Sequence, residues 1–308
     1  MSTAIQRLKG RVKRSRAYRQ LEFTRWRARN LPRVLRYHAG RGERAEPDAT
    51  AVVAELRREG IAIRSWRDVL LTGQQIVPAV EASANRLWAE ASAALRDDGR
   101  PADPANPYAG KEYKARLLPD ELPVDSPFVQ LALDPCLIEV ASRYLGMQAA
   151  LLAVELWWDR PTTAPAKETQ LWHQDGDDLM NVKAFMYLND VDADTGPFCF
   201  IPRTQPGGLR HAVAVERNAQ GRSTDEQMAR AIPASEWRVC TGAAGTVIVC
   251  DTCGYHKGLK PTCRDRLMLM VQYASGTPRY PAVLKISGTA GRALSPLQRR
   301  VLGEIYES

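Results

Sequence analysis

The stretch 171-LWHQDGDDLMNVKAFMYLND-190 sets a histidine and a run of carboxylates ahead of an apolar segment. The chain has only four histidines, so the place of His173, two residues before Asp175, asks for a reason. In an extended strand, residues i and i+2 point to the same side, so His173 and Asp175 can offer an imidazole nitrogen and a carboxylate oxygen to one ion. A second histidine from another strand would complete a two-histidine, one-carboxylate face. That face suits non-haem Fe(II) and leaves positions open for a cosubstrate and O2. Two plainer readings compete with it: a hydrogen-bonded structural histidine, and a solvated acidic turn, which is how Asp177 and Asp178 read. In NVKAFMYL, alternation puts Lys183, Phe185 and Tyr187 on one face. Lys183 and Tyr187 are candidates to line a pocket, with the opposite orientation as the alternative.

Outward from this stretch, the chain changes texture near residue 149. AALLAVELWWDR, ETQLWHQD, NVKAFMYLND, PFCFIP, EWRVC, GTVIVCD and RLMLMVQYAS are short, β-rich and separated by turn signals. That pattern predicts an antiparallel β-sandwich or barrel. Upstream, DATAVVAELRREG reads as a helix stopped by Gly60, followed by a short strand IAIRSW. A long alanine-rich helix is expected after Pro78, and an amphipathic helix at DPCLIEVASRYLG. The segment 97–112 reads as loop, and SPLQRRVLGEIYES as a C-terminal helix. The expected class is α+β with a mainly β core and flanking N-terminal helices.

The 44% hydrophobic and 25% charged residues of this 308-residue chain are those of a soluble globular protein. No apolar run is long enough to span a membrane, and the N-terminus lacks the apolar core of a secretory signal, so a cytoplasmic protein is expected. The charge is uneven. Residues 1–44 carry twelve Arg and two Lys against Glu22 and Glu43, a net of +12, which leaves −4 for the rest of a chain whose total is +8. The basic character belongs to an arm, residues 1–45, and a body of 46–308 is the expected catalytic domain. A mildly acidic body argues against a nucleic-acid binder. The arm reads either as a solvated helical arm packed on the main domain or on a second subunit, or as a peripheral membrane contact anchored by Phe23 and Trp26.

GTVIVCDTCGYHKG supplies a second histidine, His256, at the end of a β-run. The next strand begins with Arg266, whose guanidinium could bind a carboxylate with two parallel hydrogen bonds. Arg264 is the close alternative, two residues earlier in the turn KPTCRDR. A chemical rival uses the same histidine: Cys250, Cys253, His256 and Cys263 have zinc-type spacing. Against it, alternation places Cys250 within a strand, and the His-x-Asp pair would be unexplained.

WHQD, the strand KAFMYLNDVDADTGPFCFIPRTQ, the run GTVIVCDTCGYHKG and the arginine-led strand together resemble the phytanoyl-CoA dioxygenase superfamily over residues 150 to 275. These are iron(II)- and 2-oxoglutarate-dependent oxygenases built on a double-stranded β-helix of the jelly-roll or cupin kind. The resemblance implies His173, Asp175 and His256 as iron ligands. It implies Arg266, or Arg264, as the holder of the distal carboxylate of 2-oxoglutarate. Thr204 and Gln205 replace the Ser-His that many members carry after the Gly-Pro turn, so no role carries over there. The implied reaction couples decarboxylation of 2-oxoglutarate by O2, releasing succinate and CO2, to hydroxylation of a small organic substrate. Asp175 favours hydroxylation, since related halogenases lack this carboxylate. A lipid, a sugar or lipopolysaccharide component, or a natural-product intermediate are the expected substrate classes, and the basic arm favours an anionic one. The alternative is a zinc-binding or inactive β-barrel binding module recruited by its arm.

Overall fold

The computed structural model describes residues 16–39, 47–95, 113–289 and 294–307. The hydrophobic run of the expected core becomes a six-stranded antiparallel sheet in the order β1-β8-β5-β10-β4-β2. Its strands are β1 (Ile61–Ser65), β2 (Lys114–Arg116), β4 (Ala150–Asp159), β5 (Val182–Tyr187), β8 (Thr246–Cys250) and β10 (Arg266–Ala274). All nine residues of β10 are buried, because the strand lies mid-sheet with both faces covered.

One face carries helices. Asp134 caps the helix Pro135–Leu145 by accepting from Cys136 N at 2.9 Å, and Gly146 ends it in the left-handed region at φ 67°. The same carboxylate accepts from Thr72 N and Thr72 Oγ1 at 2.8 and 2.7 Å, tying the start of an earlier helix, Gly73–Ala93, to this one. That helix begins before Pro78, not after it. Pro78 sits in its second turn and costs one backbone hydrogen bond there. The helix Pro47–Glu59 stops at Gly60, at φ 81°, as expected.

The other face meets a small antiparallel sheet, β7-β6-β9, made of β6 (Phe198–Phe200), β7 (Arg238–Cys240) and β9 (His256–Gly258). Phe185, Tyr187, Ile248, Cys250, Met268 and Met270 of the large sheet pack on Phe198, Phe200 and Cys240 of the small one. The β core is therefore two facing sheets, and no closed barrel forms among the described residues. A third group, parallel, joins β3 (Glu121–Pro123), β11 (Lys285–Ser287) and β12 (Tyr306–Glu307).

Within the basic N-terminal region, the helices Arg16–Arg29 and Leu31–Ala39 lie on the body. Trp26 is 1% exposed and donates from Nε1 to Asp178 at 2.8 Å, and Asn30, Val34 and Tyr37 are buried as well. Trp26 is thus a core residue and not a membrane anchor. Residues 1–15 of the basic arm and the loop 97–112 lie outside the described residues.

Candidate active site

The segment read as the strand ETQLWHQD is a short 3-10 turn at Glu168–Gln170, followed by bridged residues. Trp172 pairs antiparallel with Ser223, and His173 with His256. The i, i+2 relation survives because Asp175 N is held by Thr252 O at 2.8 Å. Alternation sends Trp172 outward into a cluster with Ile201, Met228 and Tyr255, and His173 inward. The same rule on β9 turns His256 inward, while Lys257 sits outside with Nζ 5.0 Å from the Trp172 ring.

The three inward groups converge. Ligand atoms of His173, Asp175 and His256 all lie within 4.8 Å of one another, and among the described residues this is the trio of His, Cys, Asp or Glu able to hold an ion. Each Nε2 is 3.7 Å from an Asp175 oxygen, His173 from Oδ1 and His256 from Oδ2. Each Nδ1 faces a backbone carbonyl, Leu171 O at 2.9 Å and Gly254 O at 3.0 Å. A carbonyl only accepts, so Nδ1 carries the proton and Nε2 presents its lone pair to the common point. Burial keeps both imidazoles neutral: His173 is pushed down to about 2, with His256 adding to the effect, and His256 is lowered as well. Burial works against the charge of Asp175, but Lys183, with His256 and His173 adding to it, holds the carboxyl well below its usual range. Two neutral imidazoles and one carboxylate, oriented from behind, fit a divalent metal. Phe198 stacks on His256 at 5.6 Å and shields it.

Lys183 points into this site, with Nζ 2.7 Å from Asp175 Oδ2 and 3.7 Å from Asp177 Oδ2. Tyr187 shares that inward face but is consumed by the scaffold. Its hydroxyl donates to Cys240 O at 2.7 Å and accepts from Phe198 N at 2.9 Å, stitching the two sheets together.

The two arginines part company. Arg264 is on the surface, paired with Asp192, with 56% of its side chain exposed, so the structure does not bring it to the site. Arg266 is buried. It pairs with Asp159 at 2.9 Å and donates to Gly196 O, while its Nε is buried without a partner. Gly258, two residues after His256, makes room: a Cβ there would stand 3.0 Å from Arg266 Nη2. A buried donor left unpaired beside the metal face fits an incoming carboxylate.

The zinc arrangement does not form among the described residues. Cys250 and Cys253 are buried free thiols, Cys263 is exposed, and His256 Nε2 faces Asp175. Burial raises the thiols of Cys250 and Cys253 well above the usual range, the reverse of what a metal-ligating thiolate needs.

Sequence reading missed Asp159, Gly258 and Arg222. Asp159 becomes visible only through the β4–β10 register, which sets it opposite Arg266. Arg222, in the loop after Val215, has a buried Nη1 without a partner and bears on the charge state of both histidines.

No curated protein matches the chain. Among solved structures, AviO1 from Streptomyces viridochromogenes Tue57 shares the fold at TM-score 0.50 and 17% identity, covering 77% of this chain and all of its own. EctD from S. alaskensis, solved with 2-oxoglutarate and 5-hydroxyectoine, aligns at TM-score 0.48 and 20% identity over 72% of this chain and 74% of its own. The epimerase SnoN, in complex with Fe3+, alpha ketoglutarate and nogalamycin RO, aligns at 0.47 and 17% over 76% and 86%. The family model for phytanoyl-CoA dioxygenase (PhyH) matches residues 52–262, a span that contains His173, Asp175 and His256 and stops short of Arg266. The chain belongs to the phytanoyl-CoA dioxygenase family and is a 2-oxoglutarate-dependent non-haem iron oxygenase.

Proposed function

We propose that His173, Asp175 and His256 hold Fe(II), that Arg266 holds the distal carboxylate of 2-oxoglutarate, and that the enzyme hydroxylates a small organic substrate. The observation that carries this reading is the convergence of two neutral Nε2 atoms and one carboxylate on a single point. When bound, iron with 2-oxoglutarate and O2 supplies the oxidising power and releases succinate and CO2. The chain's own residues do the rest. The Leu171 and Gly254 carbonyls fix the two imidazole planes, so the ligand set is in place before the metal arrives. Lys183 takes one Asp175 oxygen and leaves the other for the metal. Arg266 is held by Asp159 and Gly196 O, with Nε left for the cosubstrate. Phe198, Phe185 and the methionines Met268 and Met270 exclude water from behind the site.

We read the two facing sheets as a double-stranded β-helix whose mouth is the metal face. Residues 46–308 are taken as the catalytic body, braced by the helices 16–39 through Trp26. Peripheral contact of the basic residues 1–44 with an anionic membrane surface is a separate proposal. Liposome sedimentation of the full chain beside one starting at residue 46 tests it, and equal sedimentation removes it.

The function itself is tested by anaerobic titration of metal-free protein with Fe(II) and 2-oxoglutarate, following the weak visible band of the chelated keto acid. The parent is expected to show the band and His173→Ala to lose it. A parent without the band, or a variant that keeps it, overturns the assignment.

A further inference from the structure

Arg222 stands in the same cross-strand row as the two histidines. The antiparallel bridge of Trp172 with Ser223 sets Arg222 opposite His173, just as a second bridge sets His173 beside His256. Paired residues project to one side, so if Trp172 and Ser223 face out, His173 and Arg222 face in. The backbone under Arg222 is firmly held. Asn218 Oδ1 accepts from Arg222 N at 2.9 Å and Gln220 N at 3.0 Å, and Asn218 N donates to Arg222 O at 2.8 Å.

The guanidinium on this fixed backbone is half-buried. Its Nη1 is buried without a hydrogen bond, and no carboxylate among the described residues pairs with it. Neighbouring cations are already engaged: Lys183 with Asp175, Arg266 with Asp159, and Arg217 with Tyr255 and Gln174. An unpaired charge facing inward costs free energy unless something arrives to pair with it. The register opposite His173 sets Arg222 on the side of the strand pair that carries the metal face. Arg222 lies opposite His173 in the bridge register, and Arg266 lies beside Gly258 of β9, two residues along from His256.

We propose that Arg222 binds an oxyanion of the substrate, a carboxylate or phosphate, and so presents a neighbouring C–H bond to the metal. This deepens the oxygenase reading above and rests on it. The substrate is then a small acid with its charged group close to the carbon that is oxidised, and Arg222 is a specificity-determining residue.

The test uses the full chain with Mn(II) in place of iron and saturating 2-oxoglutarate, so that Arg266 is occupied. Inorganic phosphate and acetate are titrated separately, and the paramagnetic enhancement of their nuclear relaxation reports binding near the metal. The parent is expected to relax one of the two anions, which tells phosphate from carboxylate. Arg222→Gln should weaken that binding by about ten-fold or more, the loss of a charge-assisted hydrogen bond, and Arg222→Lys by less. The 2-oxoglutarate affinity should be unchanged in both variants. Equal relaxation in the parent and Arg222→Gln, or no relaxation of either anion in a parent that binds Mn(II), overturns the proposal. A matching loss of 2-oxoglutarate affinity also overturns it, because Arg222 would then hold the cosubstrate. Failure of the parent to bind Mn(II) sinks the metal reading instead. In that case the rise in melting temperature with added phosphate, compared between the metal-free parent and Arg222→Gln, still decides whether Arg222 binds an anion.

Discussion

Arg266 and Asp159 are 3% and 4% exposed at their side chains and form a buried ion pair. Arg266→Gln leaves Asp159 buried and unpaired, and a loss of about 3–5 kcal/mol in unfolding free energy is expected in urea melts. Arg266→Lys keeps the charge but loses the planar fork, and with it the free Nε. That variant should stay folded and bind 2-oxoglutarate on the order of ten-fold or more weakly, read from the visible band at fixed Fe(II). Affinity equal to the parent would remove Arg266 from the cosubstrate site. The contrast between the two variants separates the structural half of this residue from its binding half.

At the scale of elements, β9 carries two demands on neighbouring residues. His256 must face inward, and Gly258, next on the same side, must leave room for the Arg266 guanidinium. Gly258→Ala is expected to displace that guanidinium by a few tenths of an ångström, lowering 2-oxoglutarate affinity several-fold while leaving Mn(II) affinity unchanged. A variant indistinguishable from the parent would show that the guanidinium moves freely. Tyr187 acts at the same scale, since its hydroxyl joins β5 to β6 and β7. Tyr187→Phe removes the hydroxyl's hydrogen bonds to Cys240 O and Phe198 N, at a cost of about 1–3 kcal/mol. Its KM for 2-oxoglutarate should not change. A raised KM would return Tyr187 to the pocket.

For the whole molecule, Asp251 connects the helical layer to the site. Tyr144, on the helix Pro135–Leu145, donates to Asp251 at 2.8 Å, and Asp251 accepts from Cys253 N at 3.0 Å in the turn before His256. Burial raises the Asp251 carboxyl to about 6. The folded state therefore takes up this proton at a higher pH than the unfolded chain, whose ordinary value is near 4. Its contribution to stability is fully present below the unfolded value and is lost as pH rises through about 6. Between pH 6 and 4 the parent should gain roughly 1 kcal/mol per pH unit relative to Asp251→Asn, both measured metal-free in urea. Parallel pH profiles would refute the shift. Trp26 makes a similar long-range connection from the N-terminal helices to Asp178, which also accepts from Ser275 N. Trp26→Ala should cost about 3–5 kcal/mol, and an unchanged melting curve would mean those helices are dispensable to the body.

Local pattern was enough to single out His173, Asp175 and His256, which converge in the structure, and most of the core. Alternation and turn residues marked β4, β5, β6, β8 and β10, because a strand buried on one or both faces must repeat every two residues. The pair His173 and Asp175 was legible for the same reason, and His256 from its place at a strand end. Only the tertiary structure decided which arginine turns inward, since Arg264 and Arg266 differ by two residues in a turn whose path the pattern does not define. Only it showed Tyr187 bound to backbone, Trp26 buried, and the cysteines apart from His256. Asp159 and Arg222 were invisible along the chain because they reach the site through strand register, a long-range pairing that leaves no local periodic signal. The sequence offered a basic helical arm packed on the main domain as one reading, and only the structure showed that Trp26, Asn30, Val34 and Tyr37 are the residues buried there.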